Sequence, residues 1–282
     1  MSANTNLVST AWLEDHLSAP DLVVVDASWY LPTQGRDGKA EYAAGHIPGA
    51  VHFDIDAVSD HDDPLPHMLP RPEEFARHMA ALGIGDGMRV VVYDGLGMFA
   101  APRVWWMLHS FGVRDAAVLD GGAPKWKSEG RPWTDEPTRR RPAVFTPRFD
   151  HGAVASREDI ARMLAAGSHQ VVDARAADRF RGDAPEPRPG LKAGHMPGAR
   201  NVPWTDIVRN GELKSPEEIR AAFEQAGVDL KQPIVTTCGS GVSAAILTLA
   251  LNTAGVNTKA LYDGSWAEWG GRDDCPVATG PA

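Results

Sequence analysis

Cysteine is nearly absent from this 282-residue chain: only Cys238 and Cys275 occur, and no CxxC pair exists. Two such residues cannot build a disulfide framework, and the missing pair removes the signature of a structural zinc site. A reducing, cytoplasmic setting is the default expectation, one in which a lone thiol stays a working thiol. Long apolar runs are lacking as well. Ala244 to Leu251 falls far short of the about eighteen residues that a membrane span needs, and Thr248 interrupts it. Residues 1–15 hold no Lys or Arg and no apolar block, so no secretory signal is expected there.

Positive charge is in the minority. The 28 Lys and Arg against 37 Asp and Glu leave a net charge of −9, which disfavours nucleic acid and an anionic membrane surface as partners. The basic run Arg139-Arg140-Arg141 leads into Pro142 without interleaved aromatics, and reads as a solvated connector. His61, His67 and His109 have no ligand spacing to a cysteine or to each other, so no metal is expected.

What the chain does contain is the same pattern twice. Leu22-Val23-Val24-Val25-Asp26 and Gln170-Val171-Val172-Asp173 both read as buried strands ending on Asp. Downstream, Ala44-Gly45-His46-Ile47-Pro48-Gly49-Ala50 and Ala193-Gly194-His195-Met196-Pro197-Gly198-Ala199 share six of seven positions. Pro72-Glu73-Glu74 and Pro216-Glu217-Glu218 are helix starts, with Pro in the first turn and acids at the positive end of the dipole. Those helices close at Gly83 and Gly227, and strands Arg89 to Asp94 and Pro233 to Cys238 follow. Strands alternating with helices predict two α/β domains, each a mostly parallel sheet flanked by helices. The expected division is residues 1–138, a Pro- and Arg-rich linker over 139–152, and residues 153–282.

Ligands of open parallel sheets gather at the carboxyl ends of the strands, which points to Asp94 in one copy and Cys238 in the other. Cys238-Gly239-Ser240-Gly241-Val242-Ser243 runs straight into an apolar helix. Glycines let backbone N–H groups curl inward, and a helix N-terminus adds positive potential, so the loop is an anion cradle. A cysteine at its mouth is favoured as thiolate, the form that attacks. Cys275, beside Pro276 and without such a cradle, reads as incidental.

Two other chemistries use similar loops. Gly239-x-Gly241-x-x-Ala244 fits the dinucleotide fingerprint, but that fingerprint belongs after the first strand of its unit rather than a late one. A cysteine phosphatase needs an Arg six residues after the Cys to fork a phosphate, and Ala244 stands there.

The sequence resembles the rhodanese superfamily, most closely its tandem-domain 3-mercaptopyruvate sulfurtransferases. The resemblance rests on Asp26-Ala27-Ser28-Trp29-Tyr30-Leu31-Pro32, His46-Ile47-Pro48-Gly49-Ala50, Ala101-Pro102-Arg103-Val104-Trp105-Trp106-Met107, Asp263-Gly264-Ser265-Trp266 and, above all, the Cys238 loop. It implies a catalytically inactive first domain, Asp94 standing where the second has Cys238. It also implies sulfur transfer through a Cys238 persulfide to an acceptor thiol, such as that of a thioredoxin-like protein, or to cyanide, without cofactor or metal. Thiosulfate-using members carry cations in this loop where Gly239 and Ser240 stand, so 3-mercaptopyruvate is the expected donor and pyruvate the expected product. Gly239, Gly241, Val242 and Ser243, the last where the family usually has Thr, would surround the donor. Arg179 and Arg188 would hold its carboxylate, and Asp37, His46 and Ser240 would form a polar relay near the thiol. His195 occupies the same motif as His46, so a shared structural role in that turn explains both equally well. Thiosulfate:cyanide sulfurtransfer, or a persulfide relay or binding module with little small-donor turnover, are the competing readings.

Overall fold

The computed structural model describes residues 6–282; the first five residues of the stretch read for a secretory signal, and of the expected first domain, lie outside it. The chain divides into two compact units. Unit 1 holds the residues up to Asp60 with Leu69–Asp150 and Asn210–Leu213, and unit 2 holds His61–Met68, His151–Arg209 and Lys214–Ala282.

Unit 1 is built on five parallel strands, β1 (Leu7–Val8), β2 (Leu22–Asp26), β3 (Val51–His52), β4 (Arg89–Tyr93) and β5 (Ala116–Leu119), in the spatial order β1-β5-β4-β2-β3. Its helices are α1 (Thr10–His16), α2 (Gly38–Ala44), α3 (Ile55–Val58), α4 (Pro72–Ala81), α5 (Ala101–Ser110) and α6 (Gly122–Ser128). Strand side chains alternate between faces. Leu22, Val24, Val91, Tyr93, Ala117 and Leu119 pack with Leu13 of α1 and Ala123 and Trp126 of α6, while α5 packs on β4 and β5. Both faces are thus covered, which is why the strands read as unbroken Val runs.

Unit 2 repeats the plan. Strands β6 (Val154–Ala155), β7 (Gln170–Asp173) and β8 (Arg200–Asn201) are followed by the short strand β9 (Val208–Arg209) and, after β10 (Glu212–Leu213), which belongs to unit 1, by β11 (Ile234–Thr237) and β12 (Ala260–Tyr262). The parallel sheet has the order β6-β12-β11-β7-β8. Helices α7 (Arg157–Ala166), α8 (Ala177–Arg181), α9 (Pro216–Gln225), α10 (Ala244–Thr253) and α11 (Ser265–Trp269) complete it. Trp266 and Trp269 of α11 pack with Val171, Val235 and Tyr262 on one face, and α10 lies against β11 and β12. Cys275 sits in this same apolar cluster, 5% exposed, as a small core residue.

Two features depart from the division expected from the sequence. Residues 139–150 are not a free tether, for they pack along unit 1. Phe145 lies edge-on to Phe75 at 5.7 Å, Ala143 donates its N–H to Ala80 O at 3.0 Å, and Thr146 bonds Asp86 through N–H and hydroxyl at 2.9 and 2.7 Å. A Pro- and Arg-rich composition hid one aromatic anchor and several backbone donors. Each unit also includes a short stretch from the other half of the sequence, residues 61–68 in unit 2 and 210–213 in unit 1. The second of these meets the Asp94 loop: a Cβ on Gly97, whose φ is +99°, would come within 2.7 Å of Gly211 Cα.

Candidate active site

β4 and β11 are central strands, so the loops leaving their carboxyl ends occupy the same place in the two units. In unit 1 that loop is closed by its own first residue. Asp94, 1% exposed, accepts from Leu96 N–H on Oδ1 and from the Phe99, Ala100 and Ala101 N–H groups on Oδ2, each at 2.8 Å. A carboxylate thus satisfies the N–H groups that open α5, which a helix start leaves without intrahelical acceptors. Tyr30 covers the same loop, since a Cβ on Gly95 would lie 2.0 Å from its hydroxyl. That phenol is pushed well above its ordinary pKa by burial and by its bond to Glu41.

In unit 2 the equivalent residue is Cys238, 2% exposed. Its backbone is pinned from α11: the Cys238 N–H donates to Ser265 Oγ at 3.3 Å, and Cys238 O accepts from Trp266 N–H at 2.9 Å. The next carbonyl, Gly239 O, accepts from Ala267 N–H at 2.9 Å. The N–H groups of Ser240, Ser243 and Ala244, which match the Leu96, Phe99 and Ala100 donors by position, bond to no atom of the described chain. Uncharged Gly239, Ser240, Gly241, Val242 and Ser243 carry the loop into the ten-residue helix α10.

Ser240 faces a partner that the sequence reading passed over. His67 Nδ1 lies 3.0 Å from Ser240 Oγ; both side chains are buried, and His67 holds a left-handed φ of 62°. Nothing in local spacing links residues 173 positions apart. The only clue available was that His67 lies between the second repeat element and the α4 start, in a stretch without a helix or strand pattern.

Arg179 comes to the same loop from α8. A Cβ on Gly239 would sit 3.2 Å from its Nη2. Glu186, with a 2% exposed side chain, takes Arg179 Nη2 on Oε2 at 2.5 Å and Nε on Oε1 at 3.3 Å. Glu186 Oε1 also accepts from Arg175 Nη1 at 2.8 Å. Arg175 is fixed in turn by Asp173, by Gly194 O at 2.8 Å, and by stacking on Trp266 at 4.3 Å. Burial opposes its charge, but the Asp173 and Glu186 carboxylates more than offset this and raise its pKa. Arg188 lies half-buried two residues beyond Glu186 in the same loop.

Asp37 and His46 belong to unit 1, where each has a local task. Asp37 caps α2, its Oδ1 accepting the Ala40 N–H at 3.0 Å. His46, 1% exposed, stacks on Tyr42 at 4.2 Å and bonds Tyr42 O through Nδ1 at 2.8 Å. His195 does the same in unit 2, stacked on Phe180 at 3.8 Å and bonded to Phe180 O at 2.8 Å. Two histidines in one geometry, only one of them in a unit with a loop cysteine, favour the structural explanation. Among the described residues no group of His, Cys, Asp and Glu is arranged to hold a metal, and no helix is long and apolar enough to cross a membrane.

Known proteins resemble this chain in sequence and in fold. The rhodanese-like domain model matches twice, over residues 9–129 and 156–272. The chain is 45% identical over 276 residues to the 3-mercaptopyruvate sulfurtransferase of Escherichia coli K12, covering 98% of both. It is 44% identical over 271 residues to a thiosulfate sulfurtransferase of Cricetulus griseus, covering 93% of this chain and 91% of that one. The crystal structure of SseA from Escherichia coli, described as a 3-mercaptopyruvate sulfotransferase, superposes with a TM-score of 0.87 at 43% identity, covering 94% of this chain and all of that one. The two matched stretches coincide with the two sheet-containing units, and together they span most of the sequence: the chain belongs to the rhodanese-like domain family, whose domain it carries in two tandem copies.

Proposed function

We propose that this protein moves sulfur from 3-mercaptopyruvate to an acceptor thiol or cyanide through a persulfide on Cys238, releasing pyruvate. The observation that carries the reading is the contrast between the two loops. Where unit 1 has a carboxylate that accepts from the loop N–H groups, unit 2 has a cysteine at the equivalent position of the equivalent loop. A cradle that accepts Asp94 as an anion suits a thiolate and the anionic sulfur of a persulfide equally well.

The Cys238 thiolate attacks the donor sulfur, and the donor's carbon–sulfur bond breaks with its electron pair leaving on carbon as pyruvate enolate. Protonation of the enolate gives pyruvate. Ser240, two positions after the nucleophile, and His67, hydrogen-bonded to it, would pass that proton. An acceptor thiolate then attacks the outer sulfur, leaves as a persulfide, and restores the Cys238 thiolate. Arg179 receives the donor carboxylate together with Arg188 from the Glu186 loop, since a guanidinium fork is the matching shape. Gly239, Gly241, Val242 and Ser243 would surround the donor, and the local bonds of Asp37 and His46 within unit 1 support a structural role for both over a part in the relay. No cofactor is required, because sulfur is held covalently by the chain itself. A thioredoxin-like protein is a suitable acceptor, and a reducing cytoplasm suits a free-thiol nucleophile.

Thiosulfate is the competing donor, favoured by the relative that carries its name. Against it, residues 239–243 contribute no cation to a doubly charged donor. Intact mass after incubation with each donor is the test. 3-Mercaptopyruvate adds one sulfur atom to the wild type and none to Cys238→Ser, and kcat/KM for 3-mercaptopyruvate exceeds that for thiosulfate. Full pyruvate release by Cys238→Ser would end this reading, and partner capture without turnover on either donor would favour a relay module.

A further inference from the structure

We propose that Glu186 is a positioning residue for sulfur loading: it grips one edge of the Arg179 guanidinium and so turns the other edge toward the Cys238 loop. The proposal rests on the reading of Arg179 as the contact of the donor carboxylate.

Arg179 stands on a five-residue helix with its side chain 25% exposed, and a long side chain in that position has many rotamers to choose among. Glu186 removes that choice. It binds the Nε and Nη2 edge, at 3.3 and 2.5 Å, and leaves Nη1 with the second Nη2 hydrogen as an intact end-on fork. Nη2 is the atom that lies against Gly239, so the fork opens beside the residue that follows the nucleophile.

Glu186 can do this because it is itself immobile. Its carboxylate is almost wholly buried, and a buried carboxylate needs fixed partners; Arg175 is one of them. Arg175 stacks on Trp266, and Trp266 N–H binds Cys238 O at 2.9 Å. The side chain that aims Arg179 and the backbone that holds the sulfur therefore hang from the same Arg175–Trp266 pair. Charges alternate along Asp173, Arg175, Glu186 and Arg179, so the two guanidinium groups sit near each other without net repulsion.

A double-mutant cycle tests this, with two half-reactions read separately: pyruvate release from 3-mercaptopyruvate, and removal of sulfur from preloaded enzyme by cyanide. Glu186→Gln raises KM for 3-mercaptopyruvate about tenfold, the loss of roughly one charge-assisted hydrogen bond, and lowers kcat less. Sulfur removal stays within about twofold, since cyanide has no carboxylate to place. In the Arg179→Ala background the same substitution changes KM no further, and Glu186→Asp, which keeps the charge, falls between wild type and Glu186→Gln. Equal effects with and without Arg179, or equal losses in loading and unloading, would overturn the proposal. An unchanged KM in Arg179→Ala alone would instead overturn the donor-contact reading on which it stands. If Glu186→Gln does not accumulate as folded protein, Glu186→Asp is read through the same cycle.

Discussion

Ser240 Oγ and His67 Nδ1 stand 3.0 Å apart although 173 positions separate them in the chain. His67 keeps a left-handed backbone to be there, at a cost of about 1–2 kcal/mol for a residue with a Cβ. His67→Ala is expected to slow pyruvate release about 10²-fold in kcat, the lower range for loss of a proton-transfer group. His46→Gln serves as the contrast, with kcat within about twofold of wild type and stability lower by roughly 1–3 kcal/mol from the orphaned carbonyl of Tyr42. Steady-state kinetics and urea unfolding separate the two. A kcat loss in His46→Gln matching that of His67→Ala would restore His46 to the proton relay.

Gly239 owes its identity to its neighbour rather than to its backbone angles. A Cβ there would press on Arg179 Nη2 at 3.2 Å, tighter than an ordinary contact. Gly239→Ala is expected to raise KM for 3-mercaptopyruvate roughly fivefold, because displacing a substrate-positioning group by a fraction of an ångström already weakens alignment. Thermal unfolding should barely change, which distinguishes a displaced arginine from a damaged fold.

Asp94 answers four N–H groups at once. Asp94→Ala is expected to destabilise the protein by about 2–3 kcal/mol, since buried donors lose a charged acceptor and gain none. Chemical denaturation measures the loss. Rates of sulfur loading on Cys238 should remain at the wild-type level.

His109 carries a pH dependence of stability. Burial lowers its pKa below the ordinary 6.5, while its Nε2 lies 3.2 Å from Ala116 O and its ring edge meets Trp105 at 4.8 Å. The unfolded chain takes up a proton near pH 6.5 that the folded chain resists, so this contribution is full above that pH and is lost as pH falls through the depressed value. His109→Phe should flatten the decline between pH 7 and pH 5 in urea midpoints. The Ala116 carbonyl keeps its second donor, Trp105 Nε1 at 3.2 Å, so the variant leaves no buried acceptor alone.

Much of the architecture was legible because duplication prints it twice. Strands ending at Asp26 and Asp173, helices opening at Pro72 and Pro216, and the loops after β4 and β11 all follow from apolar runs and cap residues that act locally. Cys238 stood out for the same reason: a loop, a helix start and a thiol within a few positions are one local event. What stayed hidden depends on chain distant in sequence. His67 meets Ser240 only after residues 61–68 join unit 2, and Glu186 declares itself only once Arg175, Arg179 and Trp266 have converged. For His46 the sequence left a relay role and a structural role side by side, and the contacts that favour the second, to Tyr42 four positions back and to the Thr134 backbone, are visible only in the folded turn. Residues 139–150 failed for a compositional reason, since proline and arginine disguise a segment whose anchoring is done by Phe145 and by backbone groups.

The carboxylate of Asp94 has one more consequence, for oxidative damage. Peroxide carries a thiolate through sulfenic toward sulfinic acid, and the last of these steps has no general repair. A duplicated protein with a reactive cysteine in both loops would offer two such targets and could be half-spent while still folded. Here one loop holds an oxygen anion that no cellular oxidant alters, and Cys275 is sealed in an apolar cluster. Inactivation by peroxide should therefore be all or none per molecule, following the fate of a single sulfur.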